Sequence, residues 1–318
     1  MRRFRLLRAA GLMALAIAGL AGCQTRQPAP REGFIQVPGG RVWYRIVGSG
    51  PKTPLLVLHG GPGSSSLYLR PLEALADERP VVFYDQLGGG RSDRPTDSTL
   101  WTTDRFVEEL ARVREALGLK EVHLFGHSWG TILAAEYMFT RHPTGVRSLI
   151  LAGPVMSVPR WIHDADSLRS TLPDSIQKIL SKNERAGTTA SSEYQSAMGV
   201  FYHRFLELRN PWTAVTDTVF AQLNEQIYNY MEGPSEFTIT GTLKGYDRTA
   251  DLGKIEVPTL FLGGDCDEAP PATVEYYHEL TPGSEMLIIP GAGHLTTQDK
   301  PEDTVAGVRA FLQRHEGK

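Results

Sequence analysis

Ser128 stands between Gly126 and Gly130 in the stretch EVHLFGHSWGTILAAEYM, residues 121–138. Ahead of it, Val122 to Phe125 reads as a strand; behind it, a helix-like run begins without a linker. A strand that turns into a helix so abruptly has no space for side chains beside the turn, which accounts for a glycine on each flank. G-x-S-x-G in that setting is the pattern of a nucleophile elbow. The turn lifts the hydroxyl clear of its surroundings. It also sets the hydroxyl at a helix N-terminus, where N–H groups face any negative charge that develops.

A serine hydroxyl needs a base, and the base needs a group that orients it. With an elbow serine, the chain order is serine, acid, histidine. FLGGDCDEAPP, residues 261–271, ends a late strand with Asp265, Asp267 and Glu268. IIPGAGHLT, residues 288–296, ends the next strand with His294. Of nine histidines, His294 is the one in a glycine-rich loop just past a late strand, and it is the expected base. The residues themselves leave the acid open. A developing oxyanion also requires donors. The loop from His59 to Ser66, HGGPGSSS, is expected to contribute one backbone N–H, and Trp129, directly after the nucleophile, the second.

These groups must be held by elements that the sequence also announces. Phe34–Val37 and Arg41–Val47 alternate around Pro-Gly-Gly and predict a hairpin. Runs from Leu55 and Pro80 read as buried strands, and strand patterning recurs from Val122, Val146, Val257 and Glu285. Helical spacing covers Phe106–Leu119, the residues after Ser128, and Pro301–Gln313. Alternating strands and helices predict an α/β fold with a mostly parallel central sheet. The rhythm breaks after the strand ending near Gly153. Residues 154–251 are polar and helical, with aromatics such as Tyr194, Phe201, Tyr202, Phe205, Trp212, Tyr228 and Tyr230. Aromatics this frequent argue against a solvated insert and for a folded helical cap. The core is then expected in residues 33–153 and 252–318.

Hydrophobic residues make up 41% of the 318-residue chain and charged residues 22%, enough for a sizeable core. The net charge of −3 comes without a basic patch, so no nucleic-acid partner is expected. No metal-type Cys/His spacing occurs. The first residues carry Arg2, Arg3, Arg5 and Arg8, then an apolar run to Cys23, and read as a signal peptide over 1–22. Leu20-Ala21-Gly22-Cys23 resembles a bacterial lipobox. It implies a lipidated Cys23, a polar tether over 23–32, and export to a membrane-anchored position on the periplasmic side or cell surface. Cys266, the other of two cysteines, is expected to be a small packed residue and not a nucleophile.

With the serine, histidine and oxyanion loop in place, the chain from about Phe34 to Leu312 resembles the proline iminopeptidases of the α/β-hydrolase fold. It is especially similar to the tricorn-interacting aminopeptidases and related amino-acid amidases. HGGPG at 59–63, DQLGGGRSD at 85–93, GHSWG at 126–130, GPSEFTITG at 233–241 and DEAPP at 267–271 carry the resemblance. It implies Asp267 as the acid and Gly61 with Trp129 as oxyanion donors. It also implies Glu236 and Glu268 as the groups that hold a substrate's free amino terminus, with Tyr228 nearby. DQLGGGRSD is expected to be a structural turn beside the site. Two carboxylates suit an N-terminal ammonium, because a buried cation needs paired charge. The expected activity is release of an N-terminal residue, preferably proline, from a peptide or aminoacyl amide through an acyl-enzyme, with no metal or organic cofactor. An amino-acid amidase or esterase would use the same triad. A lipid-anchored binding protein on a hydrolase scaffold is the alternative without catalysis.

Overall fold

β1 (Arg31–Val37) and β2 (Gly40–Val47) form the hairpin that the alternation predicts, in register from Arg31 opposite Ile46 to Val37 opposite Gly40. The computed structural model describes residues 29–316, so the leader and Cys23 lie outside the described residues. The stretch read as a tether to residue 32 gives up its last two residues to β1. Glu32 pairs with Arg45 at 2.6 Å and Arg91 at 3.1 Å, which explains why polar residues join a strand here.

β3 (Leu55–Leu58), β4 (Val81–Tyr84) and β5 (Val122–His127) are buried at every position. That is the consequence of continuous apolar runs in a sheet covered on both faces. With β6 (Val146–Ala152), β7 (Thr259–Gly264) and β8 (Glu285–Ile289) they make an eight-stranded sheet, ordered β1-β2-β4-β3-β5-β6-β7-β8. β1, β2 and β4 are antiparallel neighbours; every other pairing is parallel. The helical reading at Phe106 becomes α1 (Thr103–Ala116), opened by Thr102, whose hydroxyl accepts from the Arg105 N–H. α2 (Trp129–Arg141) follows Ser128 directly.

Between β6 and β7 the chain leaves the sheet for five helices. They are α3 (Val158–Ser170), α4 (Asp174–Ala186), α5 (Ser192–Phe205), α6 (Ala214–Ala221) and α7 (Glu225–Met231). Ser157, Ser191, Thr213 and Asn224 each accept a backbone N–H at the start of α3, α5, α6 and α7. Short, individually capped helices of this kind need a shared apolar face to be stable. The aromatics supply it: Phe201 packs 4.9 Å from Phe205 and 5.0 Å from Phe237, ring centre to ring centre. α8 (Pro271–Glu279), α9 (Thr296–Asp299) and α10 (Pro301–Arg314) complete the chain. One core face packs α1, α2 and α8 on the sheet. The other packs α10, the 3-10 run Ser66–Asp77 and α4, α5 and α6, while α3 contributes to both faces and α7 to the first.

The insertion is stitched to the sheet at the residues of interest. His294 and Leu295 donate their N–H groups to the carbonyls of Phe205 and Leu206, both at 2.8 Å. The end of α5 thus holds the loop after β8.

Candidate active site

The elbow is built by close backbone contact. A side chain at 126 would place Cβ 2.4 Å from the Gly130 carbonyl oxygen, and one at 130 would meet the Leu58 oxygen at 2.2 Å. Ser128 itself takes φ 54° and ψ −125°, a conformation L-residues avoid. Strain of this kind costs on the order of 1–3 kcal/mol and persists where neighbours over-determine it. Here the Ser128 N–H donates to Ala152 at 3.0 Å, while its carbonyl accepts from the Thr131 N–H and hydroxyl, both at 2.7 Å.

His294 Nδ1 lies 2.7 Å from Asp267 Oδ1. A carboxylate only accepts, so Nδ1 carries the hydrogen and the unprotonated Nε2 is left to act as a base. Nε2 is buried with no hydrogen-bond partner among the described residues, and His294 and Ser128 border the same cavity. Asp267 is aimed by the N–H groups of Ala269 at 2.8 Å and Gly264 at 3.2 Å. Burial alone would lower the His294 pKa. The charge and hydrogen bond of Asp267, with the Glu236 charge, overcome that and leave it raised. Asp265 faces elsewhere: it accepts from the Gly291 N–H at 2.8 Å and shapes the loop. Cys266 corrects the expectation of a packed thiol, because it is exposed. It sits in a turn between Asp265, which holds the Gly291 backbone at the surface, and Asp267, which takes the inward contact with His294. Partial burial and the Asp265 charge push the thiol pKa up, so it is not activated.

The loop after β3 approaches the serine by its backbone. A Cβ at Gly60 would lie 3.0 Å from Ser128 Cβ. Gly61 has φ +112°, and a Cβ there would sit 2.8 Å from the Ser64 nitrogen. Trp129 is the first residue of α2, so its N–H has no acceptor within the helix. Gln86 braces both elements: its Nε2 donates to the His59 carbonyl at 2.8 Å, and its Oε1 accepts from Trp129 Nε1 at 2.7 Å. Asp85 accepts from the Ser66 N–H at 2.8 Å and the Arg91 N–H at 2.9 Å. The DQLGGGRSD segment is therefore a brace for the site. A second brace runs through Tyr68, which accepts from the Gly60 N–H at 2.7 Å and sits 2.8 Å from His127 Nδ1. His127 Nε2 is 2.9 Å from the His294 carbonyl, so Nε2 carries its hydrogen and Nδ1 accepts from Tyr68. Burial, the nearby His294 and His59 hold His127 well below the usual histidine range, hence neutral.

Above the serine lies a cavity of about 880 Å³. Glu236 borders it and accepts from the Tyr228 hydroxyl at 2.6 Å. Glu268 does not border it. It is buried beside Asp267 with both carboxyl oxygens unpaired among the described residues. Burial first, then the charges of Glu236, Asp267 and Glu232, raise its pKa well above the carboxylic norm. Burial and Glu236 do the same to Glu232, and burial raises Glu236 despite its hydrogen bond from Tyr228. Three carboxyls thus resist ionisation, and a cation beside them would favour their charged forms.

One consequence concerns stability. Folded Glu268 retains a proton that the unfolded chain releases above about pH 4.3. Its contribution is fully present below that pH and is lost as pH rises through the folded value. Glu268→Gln, which cannot ionise, is expected to raise the melting temperature by about 2–4 °C at pH 8 and hardly at all at pH 4. Thermal scans at the two pH values check this.

Of the residues read from sequence, Ser128, Gly61, Glu236 and His294 border one cavity, with Asp267 behind His294 and Trp129 at the head of α2. Tyr68, His127, Gln86 and Glu232 were not singled out. His127 and Gln86 lie inside quoted motifs, and Glu232 directly precedes GPSEF, so motif adjacency was the available signal. Tyr68 carried none.

The alpha/beta hydrolase fold family matches residues 53–301. A proline iminopeptidase of Heyndrickxia coagulans is 47% identical over 285 residues, spanning 88% of this chain and 98% of that protein. The crystal structure of VinJ superposes with a TM-score of 0.86 at 34% identity, over 90% of this chain and 99% of VinJ. That of a proline iminopeptidase from Mycobacterium smegmatis gives 0.82 at 32% identity, over 90% and 98%.

Proposed function

We propose that this chain, which belongs to the alpha/beta hydrolase family and within it to the proline iminopeptidases, is a serine exopeptidase that releases N-terminal proline from peptides. The observation that carries this reading is a pair of interacting carboxyls, Glu236 on the wall of the serine's cavity and Glu268 buried and unpaired beside Asp267. A buried carboxyl without a partner is costly, and a cationic ligand relieves that cost. An N-terminal secondary ammonium is such a ligand. An internal peptide bond has no cation to offer.

The chemistry follows from the geometry. The substrate amine docks at Glu236 on the cavity wall, and the field of Glu268, which lies outside that wall, adds to that of Glu236. His294 Nε2 takes the Ser128 proton as Oγ bonds to the carbonyl carbon, and Asp267 stabilises the resulting imidazolium. N–H groups of Gly61 and Trp129 receive the oxyanion; each such donor is worth about 2.7–4 kcal/mol. His294 passes its proton to the leaving nitrogen as the C–N bond breaks. Water then attacks the acyl-enzyme, with His294 again as base, and frees proline and Ser128.

The test compares prolyl arylamide with its N-acetylated form. Acetylation removes the cation, and kcat/KM is expected to fall by about 10²-fold or more. Comparable rates on the two would remove the aminopeptidase reading and leave a general acyl hydrolase.

Export and anchoring through Cys23 are also part of this reading, supported by the arginine-rich leader and the Leu-Ala-Gly-Cys sequence. Metabolic labelling with a fatty-acid analogue is expected to mark the wild-type chain and not Cys23→Ser.

A further inference from the structure

The loop after β3 has few side chains of its own to hold it. Gly61 and Gly63 take φ +112° and +84°, conformations that glycine adopts freely and so does not fix. Keeping an N–H aimed at an oxyanion in such a segment requires contacts from outside it. One comes from the inserted helices. The Asn224 N–H donates to the Gly63 carbonyl at 3.0 Å. Asn224 Nδ2 donates to the Gly88 carbonyl at 2.9 Å, and its Oδ1 accepts from the Ile227 N–H at 3.4 Å as the cap of α7. Gly88 lies two residues after Gln86, the brace between the His59 carbonyl and the Trp129 ring. One asparagine thus reaches the loop of Gly61 directly and the head of α2 through the Gln86 segment.

Packing reinforces the tie. Ile227 is fully buried, and a Cβ at Gly63 would come 3.3 Å from Ile227 Cβ and 3.0 Å from the Asn224 oxygen. A side chain at Gly88 would also meet Ile227. α7 therefore rests on both loops. One turn on, the Tyr228 N–H donates to the Asn224 carbonyl at 3.0 Å, and the Tyr228 hydroxyl donates to Glu236 at 2.6 Å. Residues four apart share a helix face and differ by about 6 Å in rise. A helix of seven residues has little stability alone, so these contacts decide where it sits. Asn224 does not itself border the cavity.

Building on the aminopeptidase reading, in which Gly61 receives the oxyanion and Glu236 the ammonium, we propose that Asn224 is a positioning residue. Through α7 it fixes the distance between those two points. A substrate must meet both at once, with its amine on one and its carbonyl oxygen on the other. The ammonium binds before the oxyanion forms, so the tie acts on the transition state more than on substrate binding.

Asn224→Asp tests this, because it keeps the capping oxygen and cannot donate to Gly88. Asn224→Ser is a second capping residue without that donor, and it reads the same loss should the new charge unfold the first variant. In both, kcat on a prolyl arylamide is expected to fall by roughly 10–100-fold, with KM changed by less than about threefold. Two inhibitors separate positioning from general damage. Prolineboronic acid bonds to Ser128 Oγ and sets a boron oxygen at the oxyanion position; its affinity is expected to fall about as far as kcat. Pyrrolidine carries the ring ammonium without an acyl group, and its affinity is expected to stay within about twofold. Unchanged kcat in the folded variants, or equal weakening of the two inhibitors, would overturn the role of Asn224. Wild-type protein that cleaves N-acetylprolyl arylamide as fast as the free amine would overturn the aminopeptidase reading instead.

Discussion

Ser128→Ala is expected to lower kcat on a prolyl arylamide by roughly 10⁶-fold while leaving the melting temperature nearly unchanged. Each part of the arrangement supports so large an effect. Asp267 and His294 work as one unit through their 2.7 Å bond, and the unit has nothing to activate once the hydroxyl is gone. Residual turnover would come from binding and from the oxyanion donors alone. Alanine keeps the Cβ that the elbow already accommodates at φ 54°, so no new strain enters. Covalent labelling by a fluorophosphonate reads the same residue independently. Labelling of the wild type that survives in Ser128→Ala would place the nucleophile elsewhere.

Glu236→Gln is expected to divide substrates by charge. For free-amine substrates, kcat/KM should fall by about 10²–10³-fold, the loss associated with breaking a buried, hydrogen-bonded ion pair. An N-acetylated amide or a simple ester, which lacks the ammonium, should change by less than about threefold. The amide isostere keeps the contact with the Tyr228 hydroxyl, 2.6 Å from Oε1. Shape is therefore preserved while charge is removed. The effect will not be additive with Glu268→Gln. The Glu236 charge is one cause of the raised pKa of Glu268, so its removal lets Glu268 ionise more readily and take over part of the task. The double variant should lose more than the product of the single losses. Steady-state kinetics on the paired substrates decides this, and equal losses on free and blocked amines would sink the amine-binding role.

Local sequence determined the parts that depend on short-range physics. Six strands were legible because continuous apolar runs behave as strands when both faces are covered, although β8, at the sheet edge, is only partly buried at four of its five positions. The elbow was legible because a turn without room for side chains demands glycine within two residues of the serine. His294 was legible because a glycine-rich loop past a late strand is where a base can be presented. The inserted helices could be placed because strand patterning stops after β6 while aromatics continue.

Other assignments depended on which distant segments meet. The residues alone left the acid open among Asp265, Asp267 and Glu268, and family resemblance pointed to Asp267. The tertiary fold separates them by direction: Asp267 reaches His294, Asp265 turns to the Gly291 N–H, and Glu268 is buried without a partner. The Gln86 contact with Trp129 and the Tyr68–His127 brace were invisible, because they join residues far apart in sequence through the β4-β3-β5 order of the sheet. That Glu236 borders the cavity while Glu268 stands outside its wall is likewise an outcome of folding. Periodicity and turn chemistry act over a few residues and so can be read from the chain. The fields and contacts that set proton positions and select substrates act through space, and they exist only once the sheet and its inserted helices have closed around the serine.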